Sequence, residues 1–76
     1  MESNQHKLDA SGLNCPLPIL RTKKAINSLL SGEVLEVTAT DPGSLKDLES
    51  FCHQTGNLLL SSQTDNNTFT FQIQKR

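Results

Sequence analysis

Apolar and polar residues alternate with a period of two in several short stretches of the chain. The clearest stretch is residues 68–74, where Phe69, Phe71 and Ile73 are separated by threonine and glutamine. This spacing places the apolar side chains on one face of a β-strand and the polar side chains on the other. A similar alternation predicts a strand over residues 34–40, and residues 7–10 and 58–64 are also predicted as strands.

The first helix is predicted to begin immediately after Cys15 and to stop at Gly32. Pro16 and Pro18 are compatible with a first turn, because the N–H groups there have no partner within the helix. Glycine commonly follows the last turn of a helix, so Gly32 marks the end. The positions at helical spacing include Ile19, Lys23, Ile26 and Leu30.

A second helix is predicted between Ser44 and Gly56. Ser44 is a favourable N-cap, and Asp47 three residues later makes a weaker form of the capping box. Gly56 ends the helix. Its apolar face carries Leu45, Leu48, Phe51 and Cys52.

The element order is therefore β-α-β-α-β-β. Each βαβ crossover forces parallel strands and is right-handed, whereas a polar turn at residues 65–67 joins the last two strands as a hairpin. We predict an α+β fold, a two-layer sandwich of one mixed four-stranded sheet with both helices on one face. The chain should be a single domain over residues 1–76, with residues 1–6 frayed.

Composition and charge narrow the possible functions. The chain has 76 residues, 34% of them hydrophobic, and its net charge of −1 gives no basic footprint for nucleic acid. The longest apolar run is residues 58–60, so we expect no membrane span and a cytoplasmic protein. A chain this small has no room for a deep cofactor cavity. Its two cysteines should stay reduced unless they do chemistry.

Cys15 is the stronger candidate for thiol chemistry. Positive potential at a helix start favours a thiolate, and nearby cations add to it. The two prolines remove N–H donors and leave those of Leu17 and Ile19, but they also stiffen the loop. A small buried cysteine that packs against the core remains the alternative for Cys15. The nearby cations are Arg21, Lys23 and Lys24.

Cys52 has a simpler interpretation. Its place on the apolar face of the second helix favours core packing over a role as a resolving thiol for Cys15. His6 and His53 could be combined with the cysteines into a zinc site. Their spacing matches no usual ligand pattern, so no metal is predicted.

Several segments together resemble the TusA/SirA family of small sulfur-carrier proteins, and the similarity covers nearly the whole chain. They are LDASGLNCPLP at residues 8–18, GEVLEV at 32–37 and DPGSLKDL at 41–48, followed by Phe51 and Gly56. The Cys-Pro-x-Pro element is moderately specific alone. Combined with the Asp-Pro turn and the element order, it is a strong signal. The family's fold agrees with the one predicted from the pattern.

The resemblance implies that Cys15 accepts a sulfane sulfur as a persulfide and passes it to a partner, without a cofactor. The protein would be a sulfurtransferase-type carrier rather than a multiple-turnover enzyme. Its partners would be a donor protein, such as a cysteine desulfurase or another persulfide donor, and an acceptor protein. Gly12, Pro16 and Pro18 would form the loop and helix start, and Asp41 would lie on the same rim.

A carrier must dock two partners in turn, so the surface around Cys15 should bind weakly. Leu13 and Leu17 flank the thiol and could form the docking patch, with Arg21 and Lys24 as its polar rim. The two leucines could equally pack inward, and the cations could simply be solvated. We expect a monomer.

Leu17 departs from one branch of the family, because members that work in tRNA thiolation carry an acid between the two prolines. Sulfur oxidation and cofactor biosynthesis are therefore also possible pathways. Two other classes of function compete with the carrier. One is a regulatory or protein-interaction module in which Cys15 is structural. The other is a dithiol switch between Cys15 and Cys52, which needs α-carbons within roughly 7 Å.

Overall fold

A computed structural model describes residues 5–14 and 16–76. Within this part of the chain the elements follow the predicted order β-α-β-α-β-β. The elements are β1 (Gln5–Ala10), α1 (Leu17–Asn27), β2 (Val34–Ala39), α2 (Ser44–Thr55), β3 (Leu58–Asp65) and β4 (Thr68–Gln74).

The four strands of the described residues form one mixed sheet in the order β1-β2-β4-β3. β1 pairs with β2 in parallel, and β4 pairs with β2 and β3 in antiparallel. β3 therefore runs parallel to β1 and β2, as two βαβ crossovers require. Both helices cover the same face of the sheet and share one apolar core with it. The predicted fold class is confirmed.

The strand register aligns the apolar residues in rows across the helix-covered face. One row joins Leu8, Val37 and Phe71, and the next joins Ala39 with its partners on either side. Val37 and Phe71 are fully buried. The opposite face carries polar pairs, such as Gln72 Nε2 donating to Glu36 Oε1 at 3.3 Å. The period of two in the sequence thus separates the core from the open face.

α1 ends at Asn27, earlier than the predicted stop at Gly32. The Ser28 hydroxyl donates to the Ala25 carbonyl at 2.7 Å, and the amide of Ser28 donates to the same oxygen at 3.2 Å. These bonds close the last turn, so Leu30 lies beyond the helix and is 73% exposed. Gly32 instead takes a φ of +91° in the turn before β2.

α2 begins differently from the prediction. Its N-cap is Gly43 and no side chain caps it, so the expected Ser44 N-cap is wrong. The Asp41 carboxylate accepts the Gly43 amide, and the Asp41 carbonyl accepts the Ser44 amide, both at 3.0 Å. This turn starts the helix one residue early and makes Ser44 the first helical residue. Its buried Oγ has no hydrogen-bond partner among the residues that the structure describes.

The two edge strands of the described sheet, β1 and β3, show features that the sequence pattern does not predict. β1 starts at Gln5, inside the segment expected to be frayed, because pairing with β2 continues to Val34. His6 Nε2 also lies 3.4 Å from a carboxylate oxygen of Glu33. At the other side, β3 is an edge strand whose residues are mostly exposed, and Leu60 forms a bulge between paired neighbours.

The orphaned hydroxyl of Ser44 gives a stability prediction. Ser44→Ala should raise the free energy of unfolding by about 1 kcal/mol, because it removes a buried hydroxyl that has no hydrogen bond to any described residue. Thr22→Val is the matched control: Thr22 is fully buried, but its Oγ1 donates to the Pro18 carbonyl at 2.8 Å. This variant should lose about 1 kcal/mol. Urea unfolding measures both, and equal destabilisation by the two changes would contradict the prediction.

Candidate functional site

The parallel pairing of β1 with β2 brings two loops to one edge of the sheet. Ala10 pairs with Ala39, so the loop after β1 and the turn after β2 leave the sheet side by side. The Gly12 amide donates to Thr40 Oγ1 at 2.8 Å and joins the two segments. Gly12 and Asp41 are predicted to lie on one rim, and this hydrogen bond connects Gly12 to the residue that precedes Asp41.

The loop after β1 is held by short-range hydrogen bonds. Gly12 has a φ of +79°, a conformation that other residues adopt only with strain. The Leu13 amide donates to the Ala10 carbonyl at 3.3 Å, and the Ser11 amide donates to Asp9 Oδ1 at 3.0 Å. Hydrogen bonds from the side chain and amide of Ser11 lower the pKa of Asp9. The approach to residue 15 is therefore an ordered turn.

Cys15 itself lies outside the described residues, whereas the residues on both sides of it are described. Asn14 and Pro16 are exposed, and Pro16 is the N-cap of α1. The Leu17 amide donates to the Asn14 carbonyl at 2.8 Å. The expectation that this amide is available to an anion is therefore wrong, because the turn uses it. The described first turn of α1 contains no acidic residue.

The two prolines occupy different environments. Pro16 is exposed at the N-cap, whereas Pro18 is buried within the first turn. The Pro18 carbonyl also accepts the hydroxyl of buried Thr22. Pro18 thus anchors α1 against the core, while Pro16 lies at the surface of the site.

The predicted docking leucines divide between core and surface. Leu13 is partly buried and packs against the core, which confirms for this residue the alternative that the leucines pack inward. Leu17 is 44% exposed, and Leu20 one turn later is 53% exposed. The apolar surface at the start of α1 is therefore built from Leu17 and Leu20, of which the sequence interpretation named only the first.

The predicted rim cations lie further along α1. Arg21 and Lys24 are exposed and border a groove of about 650 Å³ between α1 and β1. The groove is lined by Leu8, Arg21, Lys24, Ala25 and Ser28, and we call it the α1/β1 groove. These two side chains therefore share a surface with edge strand β1, whereas Asp41 lies in the turn after β2.

Cys52 is a core residue. It is 4% exposed among apolar side chains, which confirms the core-packing interpretation. Burial raises the pKa of the Cys52 thiol. It also lies eight residues, about 12 Å, along α2 from Ser44 at the loop edge. The dithiol switch stays a prediction, since its other cysteine is Cys15.

Residues 5–14 and 16–76, the part of the chain that the structure describes, also bear on two other features, a metal site and a membrane span. No group of three or more His, Cys, Asp or Glu side chains there could hold a metal ion. None of the helices in those ranges is long and apolar enough to cross a membrane.

Besides Leu20, two residues of the site are not singled out by sequence reasoning. Thr40 fastens the Gly12 loop, and Leu8 contributes to the α1/β1 groove. Thr40 could have been found by extending the parallel register one residue past the strand ends, where a hydroxyl faces the neighbouring loop. Leu8 carries no comparable signal, because an apolar residue in an edge strand usually belongs to the core.

Comparison with known proteins supports the motif-based resemblance. A family model described as Sulfurtransferase TusA matches residues 6–75. A protein named sulfur carrier protein TusA from Allochromatium vinosum is 56% identical over 75 residues, covering 99% of each chain. A putative sulfur carrier protein from Neisseria meningitidis serogroup A is 48% identical over 73 residues, covering 96% of this chain and 99% of that one.

The fold agrees with a solved structure as well. The crystal structure of a SirA-like protein from Desulfitobacterium hafniense matches with a TM-score of 0.79 at 28% identity, covering 90% of this chain and 93% of that one. The resemblance inferred from the Cys-Pro-x-Pro and Asp-Pro elements is confirmed, since family model, relatives and fold agree. This chain belongs to the TusA family.

Proposed function

We propose that this protein is a sulfur carrier that relays sulfane sulfur as a persulfide on Cys15. The observation that carries the proposal is the 56% identity, over nearly the full length of both chains, to a protein named as a sulfur carrier. The Cys-Pro-x-Pro element lies inside this match. The cytoplasmic setting and the monomeric state belong to the same proposal.

The proposed reaction is thiol exchange without net oxidation. The Cys15 thiolate attacks the outer sulfur of a donor persulfide, a new S–S bond forms, and the S–S bond of the donor breaks. The donor cysteine leaves as a thiolate, and Cys15 becomes a persulfide. An acceptor thiolate then attacks the outer sulfur of this persulfide and releases the Cys15 thiolate. No cofactor takes part.

The described surroundings of Cys15 suit an anionic sulfur. The α1 N-terminus carries partial positive charge, and the first turn of the helix contains no acid to oppose it. Asn14 and Pro16 are exposed, which gives a partner protein access to both flanks of the cysteine. The hydrogen bond between Gly12 and Thr40 fixes one end of the loop. The site thus combines access with a restrained backbone.

We propose a donor protein, such as a cysteine desulfurase or another persulfide donor, and an acceptor protein as partners. Exposed Leu17 gives them an apolar contact beside the cysteine. Asp41 is partly buried, and one oxygen of its carboxylate accepts the Gly43 amide, so its other oxygen is the one we assign to partner contact. Leu17 stands where members that work in tRNA thiolation carry an acid, so sulfur oxidation and cofactor biosynthesis are pathways to be tested beside tRNA thiolation.

Sulfur loading tests the proposal directly. Incubation with a low-molecular-weight persulfide should add one sulfur atom to the intact protein, as measured by mass spectrometry. Cys15→Ser should abolish the adduct, because it removes the accepting thiol. Cys52→Ala is the matched control and should retain the adduct, because Cys52 is buried away from the loop edge.

Failure of the wild-type protein to load, under conditions that load an established carrier, would contradict the proposal. Loading that survives Cys15→Ser but is lost with Cys52→Ala would show that Cys52 carries the sulfur, which would contradict the assignment to Cys15. If Cys15→Ser left the function in the cell intact, a regulatory module with a structural Cys15 would replace the carrier.

The two thiols should also differ in alkylation. At neutral pH, iodoacetamide should modify Cys15 in the folded protein at least about tenfold faster than Cys52. Burial raises the pKa of Cys52 and so lowers its thiolate fraction below that of an exposed cysteine. Peptide mapping after timed alkylation measures both rates, and unfolding in urea should remove the difference. Equal native rates would contradict the assignment.

A charge placed in the exposed apolar surface should impair docking. Leu17→Asp should lower the efficiency of sulfur transfer from a protein donor by about tenfold, which corresponds to about 1.4 kcal/mol of binding energy. Leu30→Asp is the matched control, because Leu30 is 73% exposed but lies beyond the other end of α1. Transfer rates at several donor concentrations distinguish the two. An equal effect of both variants would exclude a specific docking role for Leu17.

A further inference from the structure

The α1/β1 groove is a second surface feature that begins close to the motif. Leu17, Arg21 and Lys24 of α1 and its C-cap Ser28 follow one another at intervals of four, three and four residues, so they share one side of the helix. The last three of them line the groove, and Leu17 continues the same line towards the loop that contains residue 15. The groove thus leads away from the candidate site along α1.

Among the described residues, the charged side chains that line this groove are both cations. Arg21 and Lys24 are the charged lining residues, and neither forms a salt bridge within residues 5–14 and 16–76. Leu8 and Ala25 supply the apolar part of the lining. Two exposed cations beside an apolar floor are complementary to a segment that carries carboxylates and apolar side chains.

The other wall of the groove favours an extended occupant. β1 is an edge strand, so its outer side has no neighbouring strand in the described sheet. Unpaired main-chain groups of an edge strand can bind an added strand, which gives affinity through the backbone and selectivity through side chains. Six residues of β1 span about 20 Å, enough for a segment of five or six residues.

The far end of the groove limits this surface. There, the Glu33 carboxylate accepts the Leu30 amide at 2.7 Å and lies 3.4 Å from His6 Nε2. Its negative charge would repel a carboxylate placed beyond Ser28. The favourable positions for acidic side chains are therefore those opposite Arg21 and Lys24, between this end and Leu17.

We propose that the α1/β1 groove binds an extended acidic segment of the protein that exchanges sulfur with Cys15. This proposal rests on the proposed function, and it adds the chemistry of the partner. Carboxylates of the segment would face Arg21 and Lys24, its apolar residues would contact Leu8 and Ala25, and its backbone would pair with β1. The segment would hold its protein beside the loop while sulfur is transferred.

A six-residue peptide of alternating glutamate and valine is a suitable probe. Titration into isotope-labelled protein should shift the backbone amide resonances of Leu8, Arg21 and Lys24. The same peptide with lysine in place of glutamate should not shift them. Lys24→Glu should raise the Kd of the acidic peptide by about tenfold, because it replaces an attraction with a repulsion. Raising the salt concentration should also weaken binding.

Lys23→Glu is the matched control. It makes the same charge change on the adjacent residue of α1, but Lys23 does not line the groove, so the Kd should change less than Lys24→Glu changes it. Equal weakening by the two variants would overturn the proposal, because net charge alone would then explain binding. Absence of shifts, or shifts confined to β3, would also overturn it. A short single-stranded RNA that bound the groove more tightly than the peptide would assign it to another occupant.

Loading of the wild-type protein by a low-molecular-weight persulfide, measured separately, distinguishes this proposal from the one on which it rests. A protein that loads but does not bind the acidic peptide would keep the carrier function and lose the groove assignment. A protein that binds the peptide but does not load would lose the carrier function and with it a sulfur-exchanging partner, and only the binding of an acidic segment would stand.

Discussion

The parallel pairing of β1 with β2 is the constraint on which the rest of the structure depends. It places Ala10 beside Ala39, so two loops that are distant in the sequence leave the sheet together. The bond from Gly12 to Thr40 then joins them. In a chain of 76 residues with a small core, this arrangement positions the motif loop by main-chain geometry rather than by an extended network of side chains.

α1 has three roles, and a different part of the helix serves each of them. Buried Thr22 and Ile26 attach it to the sheet, its first turn carries the motif prolines, and its outer side presents Arg21 and Lys24. Because the helix is a rigid element, the packing of its inner side fixes the direction of the other two surfaces. A change in the core beneath α1 would therefore reposition both the motif and the groove.

The sequence predicts the fold well where local pattern and tertiary packing agree. Alternation along β4 identifies its buried face, and Phe71 and Ile73 are indeed fully buried. Helix ends are less predictable, because single hydrogen bonds decide them. Ser28 closes α1 before Gly32, and the Asp41 turn starts α2 one residue earlier than a Ser44 N-cap would, so that Ser44 becomes a buried first residue of the helix. The hydrogen bonds that set these two helix ends leave no distinct signal in the pattern of apolar residues.

The candidate site is predictable to a different degree. The motif identifies the loop, the prolines and Asp41, because their spacing matches a family to which the chain belongs. The pairing of Gly12 with Thr40 and the placement of Leu8 in a groove depend on the strand register. Such contacts join residues far apart in the chain, so reading residues in order does not show them.

The bulge at Leu60 has a consequence for how copies of this protein behave in concentrated solution. β3 is a long edge strand with exposed Leu58 and Leu60 and only one charged residue, Asp65, so repulsion offers it little protection. The bulge interrupts the regular ladder after two residue pairs and makes the edge a poor template for a second strand. Since this protection comes from backbone shape rather than charge, resistance to edge-to-edge aggregation should persist at high ionic strength.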